Sequence, residues 1–316
     1  MKDQYGREIS YVRISVTDKC NLRCRYCIPE EGVKRLCHGD IMSIEEIAET
    51  VAAGAKLGIK KVRLTGGEPL VRKGIVELCR QISAIPEIED LSITTNGILL
   101  PEMAGELKSA GVNRVNLSLD TLDPEKYAYI SRGGDFAGCI AGIRAAFQAG
   151  FAPVKINSVL IGGFNDDEIL ALALLAKYYP IEMRFIELMP IGAAAGYEVG
   201  EYLPITAVTD AVPELVPAGI SGTAKLYKFQ DGKGRVGLIS PISSHFCAGC
   251  NRIRLTADGK IKPCLHSDVE KSVRGLHGDE LMCAVRNAIY YKPQSHGGLS
   301  KDSPSGTRRT MNQIGG

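Results

Sequence analysis

Residues 60–69, KKVRLTGGEP, hold the fold in miniature. A short β-branched run ends in a Gly-Gly-Glu-Pro loop, and a helical pattern follows near residues 74–84. Glycine and proline punctuate such boundaries, and strand, loop and helix in that order form the unit of parallel α/β folds.

The theme repeats from residue 9 to about residue 190. The first strand is ISYVRISVT, with Val12, Ile14 and Val16 on one face and Arg13, Ser15 and Thr17 on the other. Later strands read KKVRLT, DLSITT, VNRVNLSL, VKINSVLI and IEMRFIEL. A helix opens at SIEE, where Ser43 and Glu46 have capping-box spacing. Further helical patterns fall near 101–110, 136–149 and 166–179, the last with Asn165 as its expected N-cap. Six units are fewer than the eight of a closed barrel, so the expected fold is an open, partial (β/α)6 TIM-like barrel over residues 1–190. Alternation stops after Pro190, and residues 191–316 read as a smaller C-terminal region with a hairpin turning at Asp258-Gly259 and a mobile tail.

Unusual residues collect at the C-terminal ends of these strands: a cysteine loop, TGGEP (65–69), TTNG (94–97), SLD (118–120) and ELMP (187–190). That edge is where parallel α/β folds place their sites.

In 316 residues, 45% hydrophobic and 23% charged, a sizeable core is available. Formal charge is +2, so no global field favours nucleic acid and anion recognition has to be local. MKDQYGREIS has no apolar signal region, and the longest apolar run, ILALALLA, is far short of the roughly 20 residues of a membrane span. The expectation is a cytoplasmic protein without membrane or nucleic-acid partners, whose ten cysteines are ligands or core residues rather than disulfides.

Cys20, Cys24 and Cys27 form C-x3-C-x2-C directly after the first strand. Three thiolates on one loop suit an iron–sulfur cluster with one iron left open. A zinc site completed by His38 is the bland alternative. Cys247, Cys250 and Cys264 make a second trio, the third returned to the first pair by the hairpin, with Ile253 expected opposite Cys264. In isolation that group would suit a zinc ribbon closed by His245 or His266. Two three-cysteine groups in one chain favour a paired-cluster enzyme.

CNLRCRYC followed by TGGEP and TTNG resembles the radical S-adenosylmethionine superfamily. With FCAGCNRIRLT, the later Cys264 and the terminal Gly315-Gly316, the chain resembles its GTP 3′,8-cyclase family, the first enzymes of molybdenum cofactor biosynthesis. The resemblance implies two [4Fe–4S] clusters, each with three cysteines and one open iron. The first would bind S-adenosylmethionine and release a 5′-deoxyadenosyl radical. The second would bind the guanine of GTP, whose ribose 3′ carbon loses hydrogen and attacks carbon 8.

By the same resemblance, Tyr26 would lie against adenine, and Gly66 and Gly67 would let backbone approach the methionine moiety. Glu68 would stiffen that loop, and Ser118 and Met189 would complete the pocket. Arg13, Arg63, Thr94, Lys155, Arg184, Arg252 and Arg254 match the family's GTP contacts, and Gly315 and Gly316 would reach into the site to support cyclisation. The basic residues lie within strands, where a charge facing a barrel interior is costly unless it meets an anion. Cys37, Cys79, Cys139 and Cys283 read as structural. A flavodoxin or ferredoxin would be the electron donor and cyclic pyranopterin monophosphate synthase the pathway partner; a homodimer is left open. Two rivals remain: a peptide-acting radical enzyme, and a zinc-ribbon nucleic-acid module, which the near-neutral charge disfavours.

Overall fold

A computed structural model describes residues 1–300 and 302–315. The first half alternates as expected: β1 (Tyr11–Ser15), α1 (Ile44–Lys56), β2 (Lys61–Thr65), α2 (Ile75–Ser83), β3 (Asp90–Thr95), α3 (Leu100–Ser109) and β4 (Arg114–Ser118). Then come α4 (Pro124–Ser131), α5 (Phe136–Gln148), β5 (Val154–Leu160), α6 (Ile169–Tyr178) and β6 (Ile181–Glu187). Beyond lie α7 (Thr206–Ala211), β7 (Val216–Ser221), β8 (Ala224–Lys228), β9 (Arg235–Ile239), β10 (Arg252–Leu255), β11 (Lys260–Lys262) and β12 (Lys271–Ser272). Helices α8 (Gly278–Tyr290) and α9 (Met311–Ile314) end the chain.

β1 to β6 pair in parallel and in sequence order. Val12, Ile14, Val62, Leu64, Ile93 and Val115 form the buried outer face, which packs with Ile47 and Val51 of α1 and Leu78 and Ile82 of α2 in one core. The odd-numbered positions of β1 and β2 therefore face the barrel interior, where Arg13 and Arg63 sit. Ser43 and Glu46 make the reciprocal capping box that opens α1. The sheet runs β12-β11-β10-β1-β2-β3-β4-β5-β6-β9-β8-β7 and does not close, so the barrel is partial.

The C-terminal region is not a separate sheet. β10 joins the free edge of β1 and β9 joins that of β6, both in parallel, and a hairpin flanks each. The chain thus covers both edges of its own barrel and moves the sheet's free edges out to the short β12 and to β7. Residues 240–251 cross from one edge to the other and carry Cys247 and Cys250. Glu187 pins this crossing: its buried carboxylate accepts from the amides of Ile242 and Ser243, at 2.9 and 3.0 Å, and of Ile205 at 3.0 Å.

Two local expectations are corrected. Asn165 does not cap α6: its Oδ1 accepts from Ile161 N at 2.9 Å and its Nδ2 donates to the carbonyls of Asp120 and Val159. Glu168 likewise serves Thr121 and Leu122. The hairpin turns over one more residue than a two-residue loop, because Arg254 pairs Lys262 and Leu255 pairs Ile261. Extended two residues, that register sets Cys264 opposite Arg252 rather than Ile253.

Candidate active site

Strand register builds the site's charge. Arg13 stands level with Arg63 on β2 and with Arg254 on β10, so three neighbouring strands present guanidinium groups in one layer. Arg13 and Arg63 flank the Tyr11 ring, at 5.8 and 5.7 Å from its centroid. Among the described residues none of the three arginines is ion-paired. Nε of Arg13, Nε of Arg63 and Oγ1 of Thr94 are buried without a partner. Orphaned donors of this kind cost about 1–3 kcal/mol each unless something brings acceptors to them.

The layer lines a cavity of about 310 Å³, walled by all six motif cysteines, with Tyr26, Gly66, Gly67, Glu68, Thr94, Ser118, Arg184, Met189 and Arg252. Lys155 lies outside this wall. It is 3% exposed and its ammonium stands 3.0 Å from Glu182, whose other oxygen meets Arg184. One carboxylate thus neutralises part of two expected anion contacts, and Arg184 alone of the pair faces the cavity.

The cysteine loop is held by an element absent from the sequence reading. Arg25 N donates to Ile130 O at 2.8 Å and Arg23 N to Ser131 O at 3.2 Å, so the end of α4 is its shelf. Arg132, at a left-handed φ of 54°, donates to the carbonyls of Arg23 and Ile28. The signal was present in Leu122-Asp123-Pro124-Glu125: Asp123 caps the helix and Pro124 takes its first turn.

Gly66 and Gly67 are required by the packing of their own loop. A Cβ on Gly67 would stand 2.4 Å from Lys19 O, and one on Gly66 the same distance from Thr17 O. Gly67 N donates to Thr17 O and Glu68 N to Lys19 O, both at 2.8 Å. The pair stitches its loop to the entry of the cysteine loop. Glu68 ties the third loop in, accepting from Leu70 N, Thr95 Oγ1 and Asn96 N. Tyr26 donates to Asp120 at 2.8 Å, whose other oxygen accepts from Val159 N, which fixes the ring plane. Asn96 of the TTNG motif and Asp120 of the SLD motif, given no role by the motifs, also line the wall, as does Asn157, with its buried unpartnered Oδ1, which no motif contains.

Cys250 differs electrically from the cysteines of the first trio. Burial, then the nearby Cys20, pushes the Cys27 thiol up to about 12, and burial pushes Cys20 up to about 11. Burial also pushes Cys250 up, but the charges of Arg252 and Lys292 outweigh it and bring that thiol down to about 7. Buried Lys292, which donates to Pro263 O at 2.6 Å, escaped the sequence reading because it lies 42 residues beyond Cys250 (292 minus 250). In metal-free protein, alkylation of Cys250 by iodoacetamide should rise with pH around a midpoint near 7, since the thiolate is the nucleophile. Arg252→Ala should move that midpoint up; an unmoved midpoint would remove Arg252 as the cause.

All ten cysteines are free; Cys79 and Cys139 are buried as expected, whereas Cys37 and Cys283 are exposed. Nδ1 of His245 meets Pro241 O and His296 Nε2, and His266 Nδ1 meets Ser305 Oγ. Among the described residues no three or more His, Cys, Asp or Glu side chains stand as a single-ion site, and no helix is long and apolar enough to cross a membrane.

The described tail makes hydrogen bonds to the body of the chain. Asn312 Nδ2 donates to Asp18 O at 3.1 Å, and Arg254 donates to Ile314 O at 3.1 Å and to Gly315 O. Gly315 takes a φ of 72°, and a Cβ there would stand 2.3 Å from Thr65 Cγ2. Gly316 lies outside the described residues.

A partial parallel barrel with a three-cysteine loop at the exit of its first strand defines the radical S-adenosylmethionine class, and residues 14–176 match that superfamily. Residues 181–298 match the family described as Molybdenum Cofactor Synthesis C. The chain is 51% identical over its full length, and theirs, to the GTP 3′,8-cyclases of Pelotomaculum thermopropionicum and Alkaliphilus oremlandii, and 46% to that of Moorella thermoacetica. It belongs to the GTP 3′,8-cyclase family. The fold is shared with Streptococcus suis SuiB bound to S-adenosylmethionine: TM-score 0.61, 15% identity, 89% of this chain and 68% of that one. Native anSMEcpe with bound AdoMet gives 0.55 at 16% identity, over 92% and 83%.

Proposed function

We propose that this chain converts GTP to (8S)-3′,8-cyclo-7,8-dihydroguanosine 5′-triphosphate, the first step of molybdenum cofactor biosynthesis. The observation that carries the reading is the Arg254–Arg13–Arg63 layer, free of ion pairs among the described residues and with Nε of Arg13 and of Arg63 unpartnered, inside a cavity that both cysteine trios line. A triphosphate meets such a layer with bidentate, charge-assisted hydrogen bonds.

Cys20, Cys24 and Cys27 would hold one [4Fe–4S] cluster, and Cys247, Cys250 and Cys264 a second, each with one iron left to a non-protein ligand. Free thiols on one wall fit that donor set, and the low Cys250 thiol fits a ligand ready as thiolate. When bound, the first cluster supplies one electron to the sulfonium of S-adenosylmethionine, whose breaking C–S bond yields methionine and a 5′-deoxyadenosyl radical. The chain's own part is placement. Tyr26, held by Asp120, would lie against the adenine, and Gly66, Gly67, Glu68, Ser118 and Met189 would shape the rest of that pocket. Arg13, Arg63, Thr94, Arg184, Arg252 and Arg254 hold the nucleotide, and Lys155 joins them through the carboxylate it shares with Arg184. Gly315 and Gly316 would reach into the site and support cyclisation. The ribose 3′ carbon, having lost its hydrogen to the 5′-deoxyadenosyl radical, would bond to carbon 8 of guanine. One further electron from the reduced donor, with one proton, would quench the purine radical left behind as the 7,8-dihydro product.

A core over residues 1–190, a C-terminal region over 191–316, a flavodoxin or ferredoxin donor, cyclic pyranopterin monophosphate synthase downstream, a homodimer and a cytoplasmic setting belong to the same proposal. The test is anaerobic reconstitution, then incubation with S-adenosylmethionine, dithionite and GTP. About eight irons per chain, with 5′-deoxyadenosine formed in step with a cyclised nucleotide, support it. Cleavage indifferent to GTP keeps the superfamily and removes the substrate. Zinc without sulfide removes the two-cluster chemistry.

A further inference from the structure

Residues 305–315 bring Met311 and Asn312 to the cavity wall, and one side chain ties the segment to the β10–β11 hairpin. Arg309 donates to both oxygens of Asp258, at 3.0 and 2.8 Å, and to both of Glu270, at 2.7 Å each. Its side chain is 18% exposed, whereas Arg308 is 92% exposed and reaches Asp268 only at 3.4 Å. Asp258 lies in the β10–β11 loop and Glu270 precedes β12, so both carboxylates ride on the hairpin that carries Arg254 and leads to Cys264. Both are held from their own side: Asp258 accepts from Thr256 Oγ1, and Glu270 pairs with buried Lys262 at 3.0 Å. The guanidinium fork therefore meets four acceptor oxygens already in place, a geometry that lysine cannot reproduce. Past the clamp, Thr310 and Gln313 form the capping box of α9, and the chain reaches Gly315 against Arg254 within one helical turn.

We propose that Arg309 is a positioning residue, a latch that seats residues 310–315 so that Gly315 lies against Arg254. The latch rests on the proposed function for its consequence: an unlatched tail leaves the nucleotide end of the cavity open.

Hydrogen–deuterium exchange on the anaerobically reconstituted full chain tests it, comparing wild type with Arg309→Gln, Arg309→Lys and Asp258→Asn. Losing charged hydrogen bonds of this kind should speed exchange in peptides covering 305–315 about tenfold to a hundredfold in R309Q, with β1 to β6 unchanged. R309K should fall between, and adding D258N to R309Q should change nothing further, since partners in one contact are not additive. In step with the exchange, more 5′-deoxyadenosine should form per GTP consumed, while KM for S-adenosylmethionine stays put. Unchanged tail exchange in R309Q overturns the latch, as does a loosened tail with wild-type coupling. A wild-type chain that leaves GTP untouched sinks the cyclase reading alone, and the exchange comparison then decides the latch by itself.

Discussion

Gly67→Ala should strip the first cluster from an otherwise folded chain, lowering iron from about eight to about four per chain. The new Cβ would meet three backbone atoms, Lys19 O at 2.4 Å, Lys19 C at 2.7 Å and Asp18 O at 2.9 Å. None can rotate away as a side-chain tip could, so either the glycine loop or the start of the cysteine loop must shift. Cys20 is the next residue along, and the Gly67–Thr17 and Glu68–Lys19 hydrogen bonds that locate it would break. Overpacking of this kind costs about 1–3 kcal/mol, a loss that the core of β1 to β6 survives. Function does not share that margin, because a misplacement of about 1 Å at reacting groups can cost a hundredfold. The check is iron content and S-adenosylmethionine cleavage against thermal unfolding of the metal-free protein. Gly105→Ala is the control: that helical glycine has nothing within 4 Å of an added Cβ, so about 0.4–1 kcal/mol of stabilisation and full iron are expected. A Gly67→Ala chain with full iron and normal cleavage would defeat the stitching argument.

Changing Arg252 and Arg254 together to alanine should abolish cyclisation while cleavage of S-adenosylmethionine without GTP survives. Arg254 is 6% exposed, in register with Arg13, and holds the carbonyls of Ile314 and Gly315. Arg252 stacks on Phe246 at 5.0 Å and lowers the Cys250 thiol. Two charge-assisted bonds lost at about 1.5–3 kcal/mol each correspond to a fall of roughly 10²–10⁴ in turnover. Lysine at either position should not restore it, since a point charge cannot make the fork. Two outcomes would count against these roles: loss of GTP-independent cleavage with the first cluster intact, or near-normal cyclisation by the double lysine variant.

Much of the candidate site was legible because its signals are local. Cysteine spacing within one loop, a glycine pair after a strand and arginines at alternate strand positions depend on neighbours a few residues away, and the backbone periods fix their faces. The site's supports were less legible. Arg7 donates to Cys247 O at 2.9 Å across 240 residues, and no spacing in the sequence marks that contact. The Lys155–Glu182–Arg184 arrangement needs the β5–β6 register, and the same holds for Cys264 opposite Arg252.

The sequence by itself determined the partial barrel, the strand-end edge that carries the site, the two cysteine trios and the family. The first three follow from local periodicity, turn chemistry and motif spacing, and the family from the resemblance its motifs carry. Only the tertiary structure decided that β9 and β10 cover the barrel's two edges, that α4 carries the cysteine loop, that Gly66 and Gly67 make room for that loop's backbone, and that the tail is fastened through Arg309. Those choices come from edge pairing, steric exclusion and the satisfaction of buried charge between segments far apart in the chain.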